Sequence, residues 1–246
     1  MAQATKTFDG FAQAVADIPD GAVIAFGGFA GPGTPYNLIR ALLAQGARRL
    51  TCVANTTGGA HSPRMPDVGM LVEAGMVAKV VCSFTAATRP TETLPFTAAY
   101  ERGEVEAELV PQGTLAERLR AAGCGIPAFY TPTAVGTELA AGRETRSFGG
   151  REYLLEHALP VDYAFVRAHR ADAAGNLQYR LAQRNFNPLM AMAARVVVAE
   201  VEEDILPAGG LDPDQVHTPG ILVQRLVRIP PAPEGLWTSR RADRAR

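Results

Sequence analysis

One stretch near the start of the chain constrains its fold more than any other. Residues 22–26 are an apolar run, and Gly27-Gly28-Phe29-Ala30-Gly31-Pro32-Gly33 follow it at once. Pro35 then stands where a helix would begin, and Leu38, Ile39, Leu42 and Leu43 supply a stripe at helical spacing. A buried strand, a glycine-rich loop and an amphipathic helix, in that order, open a parallel α/β unit. In an open parallel sheet, ligands collect at the carboxyl ends of the strands. Glycines there let backbone N–H groups approach an anion or an oxyanion. Spacing excludes two familiar cradles. A dinucleotide fingerprint needs G-x-G-x-x-G and an acidic residue about 20 positions on. Here the spacing is Gly28-x-x-Gly31-x-Gly33, and the next strand leads to Asn55. A phosphate loop needs Lys and Ser/Thr where this chain has Thr34 and Pro35. On these residues alone, a ligand cradle and a tight turn that binds nothing both stay open.

The same order repeats. Phe8, Phe11 and Val15 read as a first short helix. Residues 50–54 read as the second strand, followed by a loop over 55–59; residues 77–83 hold a third. Residues 105–110 alternate acidic and apolar side chains, as a half-exposed strand does. A helix is predicted over 114–121, with Thr114 and Glu117 as an S/T-x-x-E capping box. Residues 123–142 are turn-rich and aromatic, and 163–168 and 195–201 read as later strands. The fold class is therefore α/β, an open, mainly parallel sheet with helices on both faces. One domain is predicted over 1–229, and a Pro/Arg-rich tail over 230–246 that reads as a solvated terminus.

Composition narrows the function classes. With 24 Lys+Arg against 25 Asp+Glu, the net charge of −1 gives no electrostatic footprint for nucleic acid or an anionic membrane. No run of about 18 apolar residues crosses a membrane, and the N-terminus has no apolar signal core. Cys52, Cys82 and Cys124 are too few and too far apart for a disulfide framework, and each reads as a small buried thiol; a cytoplasmic protein is expected. His61, His157, His169 and His217 have no metal spacing, and no G-x-S-x-G elbow is present. His61 reads as a loop histidine or a substrate contact, and the trio Arg167, His169 and Arg170 as surface charge.

Five blocks then resemble one family in its own order. They are DGAVIAFGGFAGPGTP (residues 20–35), VPQGTLAERLRAAGCGIPAFYTPTAVGT (110–137), VRAHRADAAGNLQYR (166–180), RNFNPLMAMAA (184–194) and HTPG (217–220). Together they are similar to the A (alpha) subunit of family I CoA-transferases over about residues 8–227. GGFAGPGTP and the loop VANTT resemble the acetate/acetoacetate branch more than the 3-oxoadipate branch.

The resemblance implies a ping-pong transfer in which a glutamate carboxylate attacks an acyl-CoA. In the family that glutamate sits in an S-E-N-G-type motif of the partner B (beta) subunit. The glutamates at 101, 104, 106, 108, 138, 200, 202 and 203 here lack that context. The implied assembly is an α2β2 heterotetramer, with CoA as a substrate and neither a resident cofactor nor a metal. Gln112 matches the family's oxyanion-stabilising glutamine. Gly27, Gly28, Phe29, Ala30, Gly31, Pro32 and Gly33 match its CoA-contacting loop, and Asn55 a polar residue beside the acyl group. Asn185 and Asn187 would order the site or the interface between subunits. Three departures bear on the acid substrate. Ala182-Gln183-Arg184-Asn185-Phe186 replaces Ser-Ala-Arg-Asn-Phe, Thr56 replaces a second Asn, and residues 85–95 form a longer segment. The alternatives are the corresponding chain of a 3-oxoadipate or succinyl-CoA:3-oxoacid CoA-transferase, a CoA-thioester hydrolase on the same scaffold, and a non-catalytic metabolite-binding domain.

Overall fold

Apolar runs four to eight residues long become most of the inner strands of the central sheet. The computed structural model describes residues 5–59, 65–87 and 93–230. The first half runs β1 (Thr7–Phe8), α1 (Phe11–Val15), β2 (Val23–Phe26), α2 (Tyr36–Gln45), β3 (Leu50–Thr56), α3 (Val68–Glu73), β4 (Val77–Phe84), α4 (Pro95–Glu101), β5 (Glu106–Leu109) and α5 (Gln112–Gly123). The second half runs β6 (Ala128–Thr131), β7 (Thr145–Phe148), β8 (Arg151–His157), β9 (Val161–Ala168), β10 (Arg170–Ala171), β11 (Leu177–Gln178), α6 (Asn187–Ala193), β12 (Ala194–Val201) and β13 (Arg225–Arg228).

Eight strands pair in the order β1-β13-β12-β9-β2-β3-β4-β5, and every pairing is parallel. Side chains alternate between the two faces, as the pleat requires. In β2, Ile24 and Phe26 enter one core cluster with α1, α2, α3 and α4, while Ala25 enters a second with α5 and α6. Helices therefore cover both faces, as expected. The chain winds outward from β2 through β3, β4 and β5, then returns to β9 and winds the other way through β12 and β13. The reversal lies between β2 and β9, and an open α/β sheet binds its ligands at such a switch point.

Several local expectations are corrected. Phe8 lies in β1, not in the first helix. α5 begins at Gln112, two residues earlier than predicted, with Pro111 as its N-cap. Thr114 therefore sits inside the first turn and is buried, and no side-chain cap forms. A separate antiparallel sheet, β6-β8-β7, occupies residues 128–157. Its β7–β8 hairpin turns on Gly149 and Gly150, with φ of 58° and 79°, the pair of positive angles that a two-residue turn needs. The expected tail lies outside the described residues from 231 onward.

Candidate active site

The glycine loop leaves β2 at the switch point, its first amide donating from Gly27 to the Phe165 carbonyl of β9 at 2.9 Å. Asn187, fully buried at the start of α6, determines the shape of the loop. Its Oδ1 accepts from the Arg167 amide at 3.1 Å, and its Nδ2 donates to the carbonyls of Gly33 at 3.1 Å and Gln183 at 2.8 Å. The loop is pressed against this side chain. A Cβ on Gly27 would lie 1.9 Å from Asn187 Oδ1, and one on Gly33 2.6 Å from Nδ2. Asn185 holds the same loop from outside, donating to the Pro32 carbonyl at 2.9 Å.

Beneath the loop lies buried charge. Glu200 of β12 is fully buried; its carboxylate accepts from the Asn37 and Leu38 amides at 2.9 and 3.1 Å, and from Arg167 Nη1 at 2.8 Å. Burial pushes the Glu200 carboxyl above its ordinary range, and the Arg167 guanidinium opposes that rise. Arg167 is buried too, which corrects the surface reading. Its Nε donates to Glu202 Oε1 at 2.9 Å, and Glu202 also accepts from Gln183 and meets the His169 ring. The start of α2 is thus filled by the protein's own carboxylate. Amides with no partner among the described residues belong to the loop itself, at Gly28, Ala30, Gly31 and Gly33. The loop, not the helix end, is what can face an anion.

Gln112, the first residue of α5, projects beside the end of β3. Its Nε2 donates to Asn55 Oδ1 at 2.5 Å. Asn55 is buried and Gln112 exposed, so a buried amide orients an exposed one. One N–H of Gln112 remains for another acceptor. Gln112 lines an open cleft of ≈ 330 Å³ with Phe29, Gly113, Ala116, Asn185, Phe186 and Leu189. Among the described residues that lining contains no charged side chain. A second hollow of ≈ 560 Å³ is lined by Pro111, the residue before Gln112, and by Ala134, Thr137, Glu138 and Leu139. The fold thus brings Phe29 of the loop, Gln112 and Asn185 to one cleft, and Asn55 to it through Gln112. Asn187 stays beneath, holding the loop.

His61 and residues 88–92 of the longer segment lie outside the described residues. Cys52 and Cys82 are buried, and burial pushes the Cys82 thiol up to about 11 and raises that of Cys52 as well. Cys124 is exposed, contrary to expectation, because it follows the last turn of α5. Among the described residues no three His, Cys, Asp or Glu side chains group to hold a metal ion, and no helix is long and apolar enough to cross a membrane. Sequence reasoning missed the roles of Glu200 and Arg167, whose pairing depends on β12 and β9 becoming neighbours.

A doubly wound α/β sheet with a glycine loop at its switch point and a paired amide on the wall of a nearby cleft defines a ligand-binding α/β domain. Residues 8–228 match the family model of coenzyme A transferase, and the chain belongs to that family. It is 47% identical to the A subunit of 3-oxoadipate CoA-transferase of Pseudomonas putida, over 91% of this chain and 94% of that one. It is 45% identical to the A subunit of succinyl-CoA:3-ketoacid coenzyme A transferase of Helicobacter pylori (strain J99), over 88% and 89%. Within the family the chain is thus of the A-subunit type. Among solved structures it is similar to a variant of the decarboxylase AibA/AibB, with a TM-score of 0.75, 30% identity, and coverage of 94% of this chain and 85% of that one.

Proposed function

We propose that this chain works with a B subunit, in an α2β2 heterotetramer, to exchange CoA between an acyl-CoA and a short-chain carboxylic or 3-oxo acid of the acetate/acetoacetate type. The observation that carries this reading is the Gln112–Asn55 pair on the wall of an uncharged cleft at the switch point. A neutral amide stabilises charge that develops only in the transition state and leaves no resting anion bound. The relatives' names share a 3-oxo acid, 3-oxoadipate in one and a 3-ketoacid in the other. An apolar lining of Phe29, Ala116, Phe186 and Leu189 favours an acid without a second carboxylate.

Among the described residues no carboxylate lines that cleft, which supports a nucleophile supplied by the partner. A glutamate oxygen from the partner attacks the thioester carbonyl, and Gln112 donates to the resulting oxyanion. Collapse expels the CoA thiolate and leaves an acyl-glutamyl anhydride. The thiolate then attacks the glutamyl carbonyl, which releases the first acid as its carboxylate and forms a glutamyl-CoA thioester. The acceptor acid runs the steps in reverse. The loop amides without a partner among the described residues, those of exposed Ala30 and half-buried Gly31 above all, support a CoA contact at this loop. CoA is a substrate here, and the reading calls for no resident cofactor. The free cysteines accord with a cytoplasmic setting.

The test is purification of the chain with its native partner, followed by CoA exchange between acetoacetyl-CoA and acetate. Inactivation of the CoA-loaded complex by borohydride at one partner glutamate is the expected result. Release of free CoA, or of carbon dioxide, without exchange would replace the transferase reading with hydrolysis or decarboxylation.

A further inference from the structure

Two buried hydroxyls beside the Gln112–Asn55 pair have nothing to bond to. Thr57 is fully buried, and among the described residues neither its Oγ1 nor the buried Oγ of Ser83 has a hydrogen-bond partner. Native proteins rarely strand such groups, so a pair of them at the end of a sheet calls for an occupant. The register shows where they stand. β3 and β4 pair Ala54 with Cys82 and Thr56 with Phe84, so Asn55 and Ser83 lie side by side on one face. That face carries Val53 and Val81 into the core beneath α5, the helix that begins with Gln112. The Thr57 amide continues the ladder, donating to the Phe84 carbonyl at 3.2 Å. Asn55, Thr57, Ser83 and Gln112 therefore form one polar patch at the carboxyl ends of β3 and β4. All four are uncharged donors.

We propose that the Ser83 hydroxyl, one strand away from Asn55, and the Thr57 hydroxyl, two residues further along Asn55's own strand, form a subsite for the 3-oxo carbonyl of the acid substrate, whose reacting carboxyl group lies at Gln112 and Asn55. The proposal rests on the CoA-transfer reading given above. Neutral donors match a neutral carbonyl oxygen, whereas a second carboxylate would call for a cation. Adjacent strands lie ~4.8 Å apart, which suits two carbonyl groups separated by one methylene. The subsite accounts for the stranded hydroxyls, because the substrate supplies the acceptor they lack. It also makes Ser83 and Thr57 selectivity residues, distinct from the oxyanion donor.

The experiment uses the complex of this chain with its B partner and two acceptors that differ only at C3, acetoacetate and butyrate, each assayed against the same acyl-CoA. Ser83→Ala is expected to lower kcat/KM for acetoacetate about tenfold, the worth of one hydrogen bond to a neutral acceptor, and to leave butyrate unchanged. Thr57→Val is expected to narrow the same preference while raising the Tm of the substrate-free complex, since it removes a stranded hydroxyl at constant shape. Equal losses on both acids would reduce the two residues to structural parts and overturn the subsite. Unchanged values on both would overturn it too, leaving the hydroxyls to a buried water. A wild-type complex that exchanges CoA with neither acid would instead bring down the transferase reading, and the subsite with it.

Discussion

The fit of the glycine loop around Asn187 predicts a strong coupling between two positions far apart in sequence. Gly27 has no positive φ, so an alanine there is free of backbone strain. What excludes a side chain is Asn187, whose Oδ1 would lie 1.9 Å from the new Cβ. Asn187 cannot yield by that much and keep its hydrogen bonds to the Arg167 amide and the Gly33 and Gln183 carbonyls. Three bonds at about 1 kcal/mol each, with part of the overpacking strain, put Gly27→Ala at about 3–4 kcal/mol. Asn187→Ala loses the same bonds and is expected to cost about 3 kcal/mol. In that background the methyl added at position 27 enters vacated space, and its further cost should fall within about 0.5 kcal/mol. The double mutant then unfolds much like the Asn187 single mutant, with a coupling of about 3 kcal/mol. Urea unfolding of the four proteins measures it, provided the m values agree. Additive costs would refute the argument and mean that something other than Asn187 demands glycine at position 27.

Three further outcomes follow from the geometry. Gln112→Ala is expected to lower kcat of the complex roughly 10²–10³-fold, with a smaller change in KM, since the amide acts on the transition state; a loss confined to KM would make it a binding residue only. Iodoacetamide should label Cys124 in the native protein and spare Cys52 and Cys82, whose thiols burial raises, as mass spectrometry of the alkylated peptides would show. Asp17→Asn should cost about 1 kcal/mol at neutral pH, because the Asp17 carboxylate is 59% exposed, although its partner Arg225 is only 14% exposed. The hydrogen bond from Arg225 holds the Asp17 carboxyl below its ordinary 3.8, so the pair's stabilisation is complete above that value and is lost as pH falls through the lowered one. Parallel unfolding curves for variant and wild type at pH 7 and pH 3 check the sign.

The α/β class was legible in the sequence because its signals are local. The apolar runs that became β2, β3, β4, β9 and β12 each carry their own evidence of burial, and the loop from Gly27 to Gly33 marks its own turn. The membership of the chain was legible for a related reason, since Gln112 and its neighbours form contiguous blocks. The short elements were not legible. β1 is two residues long and owes its existence to pairing with β13, more than two hundred residues away. The helix start at Gln112 was misread because a capping-box pattern at Thr114 and Glu117 competes with Pro111, and the burial of Thr114 in the core decides between them. Only the tertiary structure decided that Arg167 and Glu200 are partners in the interior, that Asn187 shapes the loop, and that Ser83 stands beside Asn55. The physical reason is the same in each case. These residues meet across neighbouring strands or between a helix and the sheet, where strand order and register set distance, and neither is written in any one segment.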